Sequence, residues 1–508
     1  MNSLKPMLLT CLKSYDKSQF IKDVTAGIIV AIIALPLSIA LALASGVGPE
    51  AGIFTAIVAG FVISALGGSC VQIAGPTAAF ATIVAGIVAR DGMDGLIIAT
   101  IMAGIFLILM GLFPFGSLIK FIPYNLKTGF TSGIAVTIVI CQLKDFFGVT
   151  YPDGVKPIET TEKMKAFVQN ISSINIDALI VGVVSLAILI IAPYVLKKVP
   201  GSLIAVIVGI LMVQFLPLKV STIGNLYTIS NSLPSFHMPA IRFSTISASV
   251  SNAFTIAVLA AIESLLSCVV ADGMINSKHR SDMELVAQGA GNIASALFGG
   301  IPATGAIART AANIKNGGRT PIAGMVHSVT LIIVLVVLMP YAGMIPMPTI
   351  AAILFIVAYN MCQWRTFRDL VRTAPKSDIL VLIVTFILTV IFDLVVAIEI
   401  GMVLACLLFI KRMSEETHAD SWVYTDDDTP DIDEHLQKLP LQIRVYEITG
   451  PLFFGAADAI EHIVVKDFTR CLVLRMRGFP ALDSTAMNDL QNLVKTCASQ
   501  EITLLLLN

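Results

Sequence analysis

Long apolar runs recur along most of the chain and restrict it to a membrane architecture. They approach or exceed the roughly 20 residues needed to cross about 30 Å of hydrocarbon, and they extend from Val24 to Phe409. Only 13% of the residues are charged and 56% are hydrophobic, whereas about a quarter of an ordinary soluble domain is charged. After Lys411 the sequence becomes polar and acidic. The chain is therefore predicted to have two parts, an all-α membrane domain and a short soluble domain.

Glycine, proline and charged residues divide the apolar region into fourteen predicted membrane segments. The segments are expected near residues 24–45, 50–66, 71–89, 94–115, 125–142, 174–197, 201–217, 249–272, 283–298, 300–315, 319–341, 344–359, 377–393 and 395–411. Lysine and arginine are concentrated at the segment ends that share a side with the N-terminus, so the positive-inside rule places both termini in the cytoplasm. The predicted organisation is a cytoplasmic segment 1–23, a transmembrane domain 24–412, a linker 413–437 and a soluble domain 438–508.

Charge and cysteine usage exclude several classes of function. With a net charge of −1 and no strongly basic patch, the chain is expected to have no nucleic-acid partner. The eight cysteines form no Cys-x-x-Cys motif and no cluster with histidine, and all eight are interpreted as reduced structural residues. No metal site and no cofactor are predicted, and the lipid bilayer is the expected surrounding of the first domain.

Two predicted segments contain too many glycine, proline and small residues to be continuous helices. One runs through Gln-Ile-Ala-Gly-Pro-Thr-Ala-Ala at 72–79, and the other through Gly-Gly-Ile-Pro-Ala-Thr-Gly-Ala at 299–306. Each is predicted to be extended first and helical afterwards. Similar phrases precede them at 63–68 and 294–300, about half a membrane domain apart. Unless this is a chance match of small residues, it indicates an inverted repeat of seven and seven segments.

An inverted repeat would bring the N-termini of two half-helices together near the middle of the membrane. Non-helical backbone is tolerated there only where it is buried in protein or lines a cavity. Two helix N-termini, each with about half a positive charge and free amides, form a binding site for an anion without a buried lysine. The sequence therefore predicts a small anionic ligand.

Hydroxyl-bearing and small residues at these two turns are the candidate ligand contacts. Thr77 and Thr304 are expected in the first turns of the half-helices, where a hydroxyl either caps free amides or contacts the ligand. The small residues leave room for an anion to reach backbone amides, although close helix packing favours the same residues. In the first segment, Pro36, Leu37 and Ser38 either interrupt the helix near the site or only kink it. The candidate substrate-binding residues are Pro36, Leu37, Ser38, Gly75, Thr77, Ala78, Thr304, Gly305, Ala306 and Arg309.

Three charged residues within predicted segments are also singled out. Glu263 stands alone in an apolar stretch, where a carboxylate is costly unless it has a function. A desolvated carboxyl near an anion binds a proton more readily, so Glu263 is the candidate site for a coupled proton; an ion pair with Arg309 is the alternative. Arg309 follows Gly305 by one turn and is expected to hold the anion, to pair with Glu263 or to line the cytoplasmic vestibule. Glu399 is assigned to a helix end or a domain interface.

Four short motifs together resemble one family of membrane proteins. They are Leu35-Pro36-Leu37-Ser38 with Ala40, Gly75-Pro76-Thr77, Ile262-Glu263-Ser264-Leu265-Leu266 and Ala308-Arg309-Thr310-Ala311-Ala312-Asn313. The chain is similar, over nearly its whole length, to the SulP anion transporters, the bacterial sulfate-permease group related to animal sulfate and chloride exchangers. The resemblance implies a core domain of segments 1–4 and 8–11 that slides, as an elevator, against a gate domain of segments 5–7 and 12–14. It also implies a homodimer in the bacterial inner membrane.

The same resemblance bears on the coupling ion and on the substrate. Residues 272–280 and 304–309 look most like the proton-coupled dicarboxylate members, and the sodium-coupled bicarbonate members are only slightly less similar. In the bicarbonate members, an Asp resembling Glu263 and a Thr resembling Ser267 help to bind sodium, whereas members with Glu at this position tend to be proton-coupled. Glu263 and Ser267 are therefore the expected ion-coupling residues, with H+ favoured over Na+. Sulfate, bicarbonate and C4-dicarboxylates stay open as substrates.

The soluble tail resembles the STAS domain. It has a predicted strand at 441–445, a turn at 450–455, a helix, strands at 471–476 and 502–507, and a second helix opened by 483–485, an alternation that indicates an α/β fold. The last strand is followed directly by the end of the chain, so the domain is expected to be incomplete. In free-standing STAS regulators a serine resembling Ser484 is phosphorylated, but the simpler interpretation is a helix cap supplied by Asp483 or Ser484.

The expected function is proton-coupled symport of a small anion by a secondary active transporter, not an enzyme. Within transport, the alternatives are a sodium-coupled bicarbonate symporter and an uncoupled anion exchanger, while the nucleobase permeases share the implied fold but match these motifs less well. From another class, the alternative is a membrane anion sensor that signals through the STAS domain to a cytoplasmic partner.

Overall fold

The chain divides into two units, Met1–Gly401 and Met402–Asn508, in its computed structural model. The residues described are 4–113, 115–116, 123–152, 157, 159–195, 200–229, 232–239, 243–392, 394–416, 418–422, 440, 442–455, 460, 463, 469–478 and 481–507. Each unit has its own hydrophobic core, so each buries apolar surface without help from the other.

Helices make up most of the first unit, together with two very short strands. The helices are α1 Met7–Cys11, α2 Lys17–Ala44, α3 Pro49–Leu66, α4 Ala78–Leu112, α5 Tyr124–Phe147, α6 Thr160–Gln169, α7 Ile176–Val195, α8 Gly201–Phe215, α9 Ile223–Leu226, α10 Phe243–Ile275, α11 Ser281–Leu297, α12 Ile307–Lys315, α13 Ile322–Ala342, α14 Met347–Cys362, α15 Trp364–Thr373, α16 Lys376–Ile391 and α17 Leu394–Glu415, the last of which continues into the second unit. The strands are β1 Ala74–Gly75 and β2 Thr304–Gly305.

The surface of this unit suits a bilayer. Eight helices in the described part of the chain are long and apolar enough to cross a membrane. Large apolar side chains remain exposed along α7, α8 and α13, for example Ile190, Phe215 and Ile333. Lipid chains cover such surfaces without the free-energy cost that water imposes, while the helical backbone satisfies its own hydrogen bonds.

The predicted membrane segments coincide with helices. The helical part of segment 71–89 and segment 94–115 are the two halves of α4, which are separated by the non-helical residue Gly92 with φ 71° and ψ −171°. This backbone conformation is nearly confined to glycine, so the predicted break between the two segments is confirmed as a kink at a single residue. Segments 71–89 and 300–315 each start with a strand and continue as a helix, as the sequence predicts.

The membrane helices pack in two groups. The core group consists of α2, α3, α4, α10, α11, α12 and α13, and the gate group of α5, α7, α8, α14 and α16. The groups meet where α2 lies against α8 and α14 and where α4 lies against α5. Within the core group, α4 and α11 cross at Gly104 and Gly289, where an added Cβ on either glycine would come within 2.7 Å of the other's carbonyl oxygen. Small residues thus let these two backbones approach closely.

The second unit contains a four-stranded sheet with the order β3-β4-β5-β6. Its elements are β3 His418–Trp422, β4 Ile443–Thr449, β5 Cys471–Gly478, α18 Ser484–Ser499 and β6 Thr503–Leu507. β3 and β4 are antiparallel, whereas β4, β5 and β6 run parallel. Apolar side chains of β4, β5 and α18 form the core of this unit, among them Ile448, Leu472 and Leu490.

The sequence predicts three of the four strands of this sheet and misses β3. The strands expected at 441–445, 471–476 and 502–507 correspond to β4, β5 and β6. Residues 413–437, assigned to a linker, include the end of α17 and β3, while the helix expected after the turn at 450–455 lies outside the described residues. Asp483 caps α18 by accepting a 2.9 Å hydrogen bond from the amide of Ala486. Of the two candidate caps, the acceptor is therefore Asp483 and not Ser484.

Candidate functional site

The two broken segments meet as a short antiparallel ribbon. β1 pairs with β2, and the amide of Ala306 donates to the carbonyl of Ile73 at 2.9 Å. Helices α4 and α12 begin shortly after the strands, at Ala78 and Ile307, and neither of these described N-termini has a side-chain cap. Because each helix starts at the ribbon, the positive ends of both helix dipoles lie there.

The glycines of the ribbon make room for side chains of the protein itself. A Cβ added to Gly75 would lie 2.4 Å from Nη1 of Arg309, and one added to Gly305 would lie 2.3 Å from Nε2 of Gln72. Neither position therefore tolerates a side chain without displacing a polar group. Of the two explanations offered by the sequence, close packing accounts for both glycines directly.

Arg309 is buried against this ribbon with only 2% of its surface exposed. Its Nη2 donates to the carbonyl of Pro76 at 3.2 Å and to the hydroxyl of Ser38 at 3.4 Å. Its Nε and Nη1 have no hydrogen-bond partner in the described part of the chain. No ion pair links Arg309 to Glu263 among the described residues. A buried cation with unused donors is costly unless a ligand or another group completes its hydrogen bonds.

Glu263 is half-buried on α10 and faces the start of α4. Its Oε2 accepts a 2.9 Å hydrogen bond from the hydroxyl of Thr77, so that hydroxyl contacts a titratable group and does not cap the helix. The positive charge of Lys127, on α5 of the gate group, also acts on Glu263. The sequence analysis used Lys127 only as one of the lysines that place the N-terminal side in the cytoplasm. A lysine within predicted segment 125–142 could also have indicated a functional residue, because charged residues within membrane segments are costly.

Hydroxyl groups of α10 tie that helix to the second half of the ribbon. The hydroxyls of Ser264 and Thr304 lie 2.6 Å apart, and Ser264 also accepts from the amide of Gly305 at 3.1 Å. Ser267 donates to the hydroxyl of Thr310 at 3.4 Å. Thr304 is fully buried in β2, so its expected position in the first turn of α12 is wrong, because the extended segment continues for two residues beyond it.

Helix α2 supplies the remaining candidates. It is continuous from Lys17 to Ala44 with Pro36 inside it, so of the two alternatives for 36–38, an interruption and a kink, the structure excludes the interruption. Pro36 and Ser38 are buried and Leu37 is half-buried. Only Ser38 among these three makes a described polar contact in the site, with Arg309. Ala78 is buried at the start of α4, and Ala306 is half-buried just before α12.

A second acidic residue, Glu284 on α11, supports the ribbon and is absent from the sequence-based candidates. Its carboxylate is fully buried and accepts hydrogen bonds from Nε2 of Gln72 at 2.7 Å, the amide of Gly68 at 2.9 Å and Nε2 of Gln288 at 2.9 Å. Gln72 in turn accepts from the thiol of Cys268 at 2.7 Å. This network fixes the side chain of Gln72, which occupies the space beside Gly305. Its position as the second residue of predicted segment 283–298 could have identified Glu284 from the sequence, because a carboxylate within a membrane segment is costly unless it has a role.

The site is therefore a polar ribbon that combines backbone dipoles, one buried guanidinium and one accessible carboxyl. No group of three or more His, Cys, Asp or Glu side chains that could hold a metal ion occurs in the described part of the chain. The arrangement suits an anion held by hydrogen bonds and by positive potential.

Comparison with protein families accounts for nearly the whole chain. The pattern of the sulfate permease family matches residues 20–385, and that of the STAS domain matches residues 438–508. YvdB of Bacillus subtilis, a protein assigned to sulfate transport, is 40% identical over 487 residues, which are 95% of this chain and 90% of YvdB. The bicarbonate transporter BicA of Picosynechococcus is 32% identical over 497 residues, covering 94% of this chain and 87% of BicA.

Solved structures show the same architecture. The transmembrane domain of a cyanobacterial bicarbonate transporter BicA superposes with a TM-score of 0.68 at 28% identity, covering 77% of this chain and 98% of that one. The murine solute carrier 26 family member A9 anion transporter, in its inward-facing state, superposes with a TM-score of 0.89, covering 99% of this chain and 88% of that one. At 18% identity the second likeness shows the fold alone.

Proposed function

Because this multi-pass membrane protein belongs to the sulfate permease family, we propose that it is a secondary transporter that carries a small anion together with a proton. The single observation that supports anion binding best is Arg309, a buried guanidinium with two donor nitrogens that find no partner among the described residues, at the point where two helix dipoles converge. Sulfate, bicarbonate and a C4-dicarboxylate are the candidate substrates, since the relatives include transporters named for the first two.

Anion binding would use several weak positive groups and one full charge. Backbone amides at the starts of α4 and α12 offer hydrogen bonds, and each helix end carries about half a positive charge. Arg309 adds a planar guanidinium, which matches the oxygen geometry of oxyanions better than a lysine does. Its hydrogen bonds to Pro76 and Ser38 orient the guanidinium before the ligand arrives, which lowers the entropic cost of binding.

Proton coupling would use Glu263. The carboxyl lies one hydrogen bond from Thr77, at the N-terminus of the half-helix that faces the ligand. An anion bound there repels the carboxylate and favours its protonated form, so ligand and proton bind together. The positive charge that acts on Glu263 belongs to Lys127, which lies in the gate group. Movement of the core group past α5 would separate the two charges, and the coupling would then depend on the transport state.

The helix packing supports an elevator movement. All elements of the ribbon, with Arg309 and Glu263, belong to the core group, so the site can move as one body. The gate group contacts it chiefly along α2 and α4. The homodimer, the inner-membrane location and the cytoplasmic side of both termini are parts of the same proposal and rest on the resemblance and on the distribution of lysine and arginine.

Uptake by proteoliposomes tests the coupling. Labelled sulfate, bicarbonate and succinate are offered with and without an inward proton gradient to the native protein and to Glu263→Gln, in which the side-chain oxygen can still accept from Thr77. We expect Glu263→Gln to lose the stimulation by the gradient while anion binding, measured by calorimetry, is kept. Glu399→Gln is the matched control, because Glu399 is an exposed carboxyl in an apolar helix of the described chain and should behave as native.

Two results would contradict the proposal. Equal uptake by the native protein and Glu263→Gln, with or without the gradient, would leave an uncoupled exchanger. Stimulation by an inward sodium gradient and none by protons would make sodium the coupling ion, with Ser267 beside Glu263 as its candidate ligand.

A further inference from the structure

Two cysteines that are distant in sequence lie side by side at one end of the core group. Cys11 ends α1 and Cys70 lies in the turn between α3 and β1, and their sulfur atoms are 3.5 Å apart. Both are free thiols and both are half-buried. From the sequence, all eight cysteines are interpreted as reduced structural residues, because they form no Cys-x-x-Cys motif and no cluster with histidine. The 59 residues between Cys11 and Cys70 give no indication that the two meet.

The approach of the two thiols is fixed by contacts that do not involve sulfur. The amide of Met7 donates to the carbonyl of Gly67 at 2.8 Å. Arg280 donates through Nη1 to the carbonyl of Lys5 at 2.8 Å and through Nη2 to the hydroxyl of Thr10 at 3.0 Å. The first bond holds α1 against the turn that carries Cys70, and the other two hold it through Arg280, whose amide donates to the carbonyl of Gly68 at 2.9 Å. The sulfur atoms therefore meet without a rearrangement of the backbone around α1.

The surroundings give the two thiols different reactivities. The pKa of Cys70 is lowered by hydrogen bonds from the thiol of Cys11 and the hydroxyl of Ser277, and the Arg280 guanidinium acts in the same direction. Burial and the nearby carboxylate of Asp272 oppose this effect. The pKa of Cys11 is raised, chiefly because its proton is shared with Cys70 and because it is buried. Cys70 is therefore the nucleophile of the pair, and Cys11 is the proton donor beside it.

We propose that Cys11 and Cys70 are a redox modification site, at which peroxide forms a reversible disulfide that fastens α1 to the core group. The Cys70 thiolate attacks one oxygen of hydrogen peroxide, the O–O bond breaks, and Cys70 becomes a sulfenic acid while hydroxide leaves and takes up a proton. The Cys11 sulfur then attacks the sulfenyl sulfur, an S–S bond forms, and the second water departs with the thiol proton. In total, two thiols and one peroxide give one disulfide and two waters.

The location suits a transient bond. The lysines of the N-terminal segment predict that α1 lies in the cytoplasm, where thiol reductants keep structural disulfides rare and leave those that form mainly to redox sensing. A dithiol or a low-molecular-weight thiol reverses the bond by exchange. Because this site lies outside the anion site, the inference stands independently of the proposed substrate.

Mass spectrometry of the full-length protein in lipid nanodiscs tests the site. The protein is treated with hydrogen peroxide, its remaining thiols are blocked, and it is digested without reductant. We expect a peptide pair joined through Cys11 and Cys70, two hydrogens lighter than the free peptides and separated again by dithiothreitol. Hydrogen exchange should show slower opening of α1 amides in the oxidised protein than in the reduced one.

Matched variants make the result specific. Cys11→Ser and Cys70→Ser should each abolish the joined peptide, and Cys11→Ser should leave a sulfenic acid on Cys70 that a dimedone probe traps. Cys406→Ser removes an exposed cysteine of α17 and should leave the joined peptide unchanged. Circular dichroism identifies any variant that has failed to fold. Oxidation of Cys406 with Cys11 and Cys70 both still free, or over-oxidation of Cys70 without a joined peptide, would overturn the proposal.

Discussion

At the scale of single residues, the site depends on which groups share a small volume. Arg309 can lie against the ribbon because Gly75 has no side chain, and the guanidinium occupies the place where a Cβ would be. Glu263 binds the hydroxyl of Thr77 and does not pair with Arg309. A direct ion pair would have neutralised both charges. Without it, Arg309 can bind the proposed anion and Glu263 the proposed proton.

The substitution Gly75→Ala tests this arrangement. The new methyl group would displace the Arg309 guanidinium, and loss of one charge-assisted hydrogen bond costs about 1.5–3 kcal/mol. Anion affinity should fall by roughly tenfold or more, as measured by calorimetry or by the half-saturation of uptake. Gly273→Ala is the control, because a Cβ at this exposed helical glycine meets no atom within 4 Å. Native affinity in Gly75→Ala would show that Arg309 does not contact the anion.

At the scale of elements, the two half-helices differ in what precedes and follows them. Each begins after a strand of two residues, and the two strands pair with each other, because isolated extended backbone inside a membrane would leave its amides unsatisfied. α12 ends after nine residues at Lys315, whereas α4 continues past a bend at Gly92. The bend lets one helix serve two predicted membrane segments.

The bend predicts a difference between two glycines of the same helix. Gly92→Ala forces a side chain into a backbone conformation that costs about 1–3 kcal/mol, so the apparent melting temperature in detergent should fall. Gly86→Ala, six positions earlier in α4 and in open space, should be neutral or stabilising by about 0.5–1 kcal/mol, because alanine favours helix. Equal melting temperatures for the two variants would mean that α4 straightens at Gly92 without cost.

At the scale of the whole molecule, two units with separate cores suggest separate roles. Every residue of the described polar contacts of the anion site lies in the first unit, between Ser38 and Thr310. The second unit matches the STAS domain and contributes none of the described contacts of that site. The transport proposed above therefore depends on residues of the first unit.

Deletion of residues 424–508 distinguishes a transporter from a sensor. A transporter should keep anion binding and gradient-driven uptake after this deletion, because the ribbon and its surroundings remain. A sensor that signals through the STAS domain would still bind the anion after the deletion, but it would show no gradient-driven uptake either before or after it. Uptake per folded molecule, with folding checked by size-exclusion chromatography, decides between them. Absence of gradient-driven uptake from both the full chain and the shortened chain would favour the sensor.

Much of this architecture follows from sequence patterns that act locally. The length and spacing of the apolar runs determine the membrane helices, since hydrocarbon excludes unpaired backbone. Gly-Pro-Thr at 75–77 and Pro-Ala-Thr-Gly at 302–305 determine two extended segments followed by helices. The isolation of Glu263 among apolar residues predicts a functional role for it. The alternation of strands and helices in the tail likewise identifies its fold.

Only the tertiary structure decided which of these residues meet. No local pattern shows that Gln72 fills the space at Gly305, that Glu284 holds Gln72, or that Cys11 reaches Cys70. The continuity of α2 through Pro36 was also open, because neighbouring helices can satisfy the carbonyl that a proline frees. Such contacts depend on the relative placement of helices far apart in sequence. Side-chain periodicity determines which face of a helix is buried, but the partner on that face is set by the packing of the whole unit.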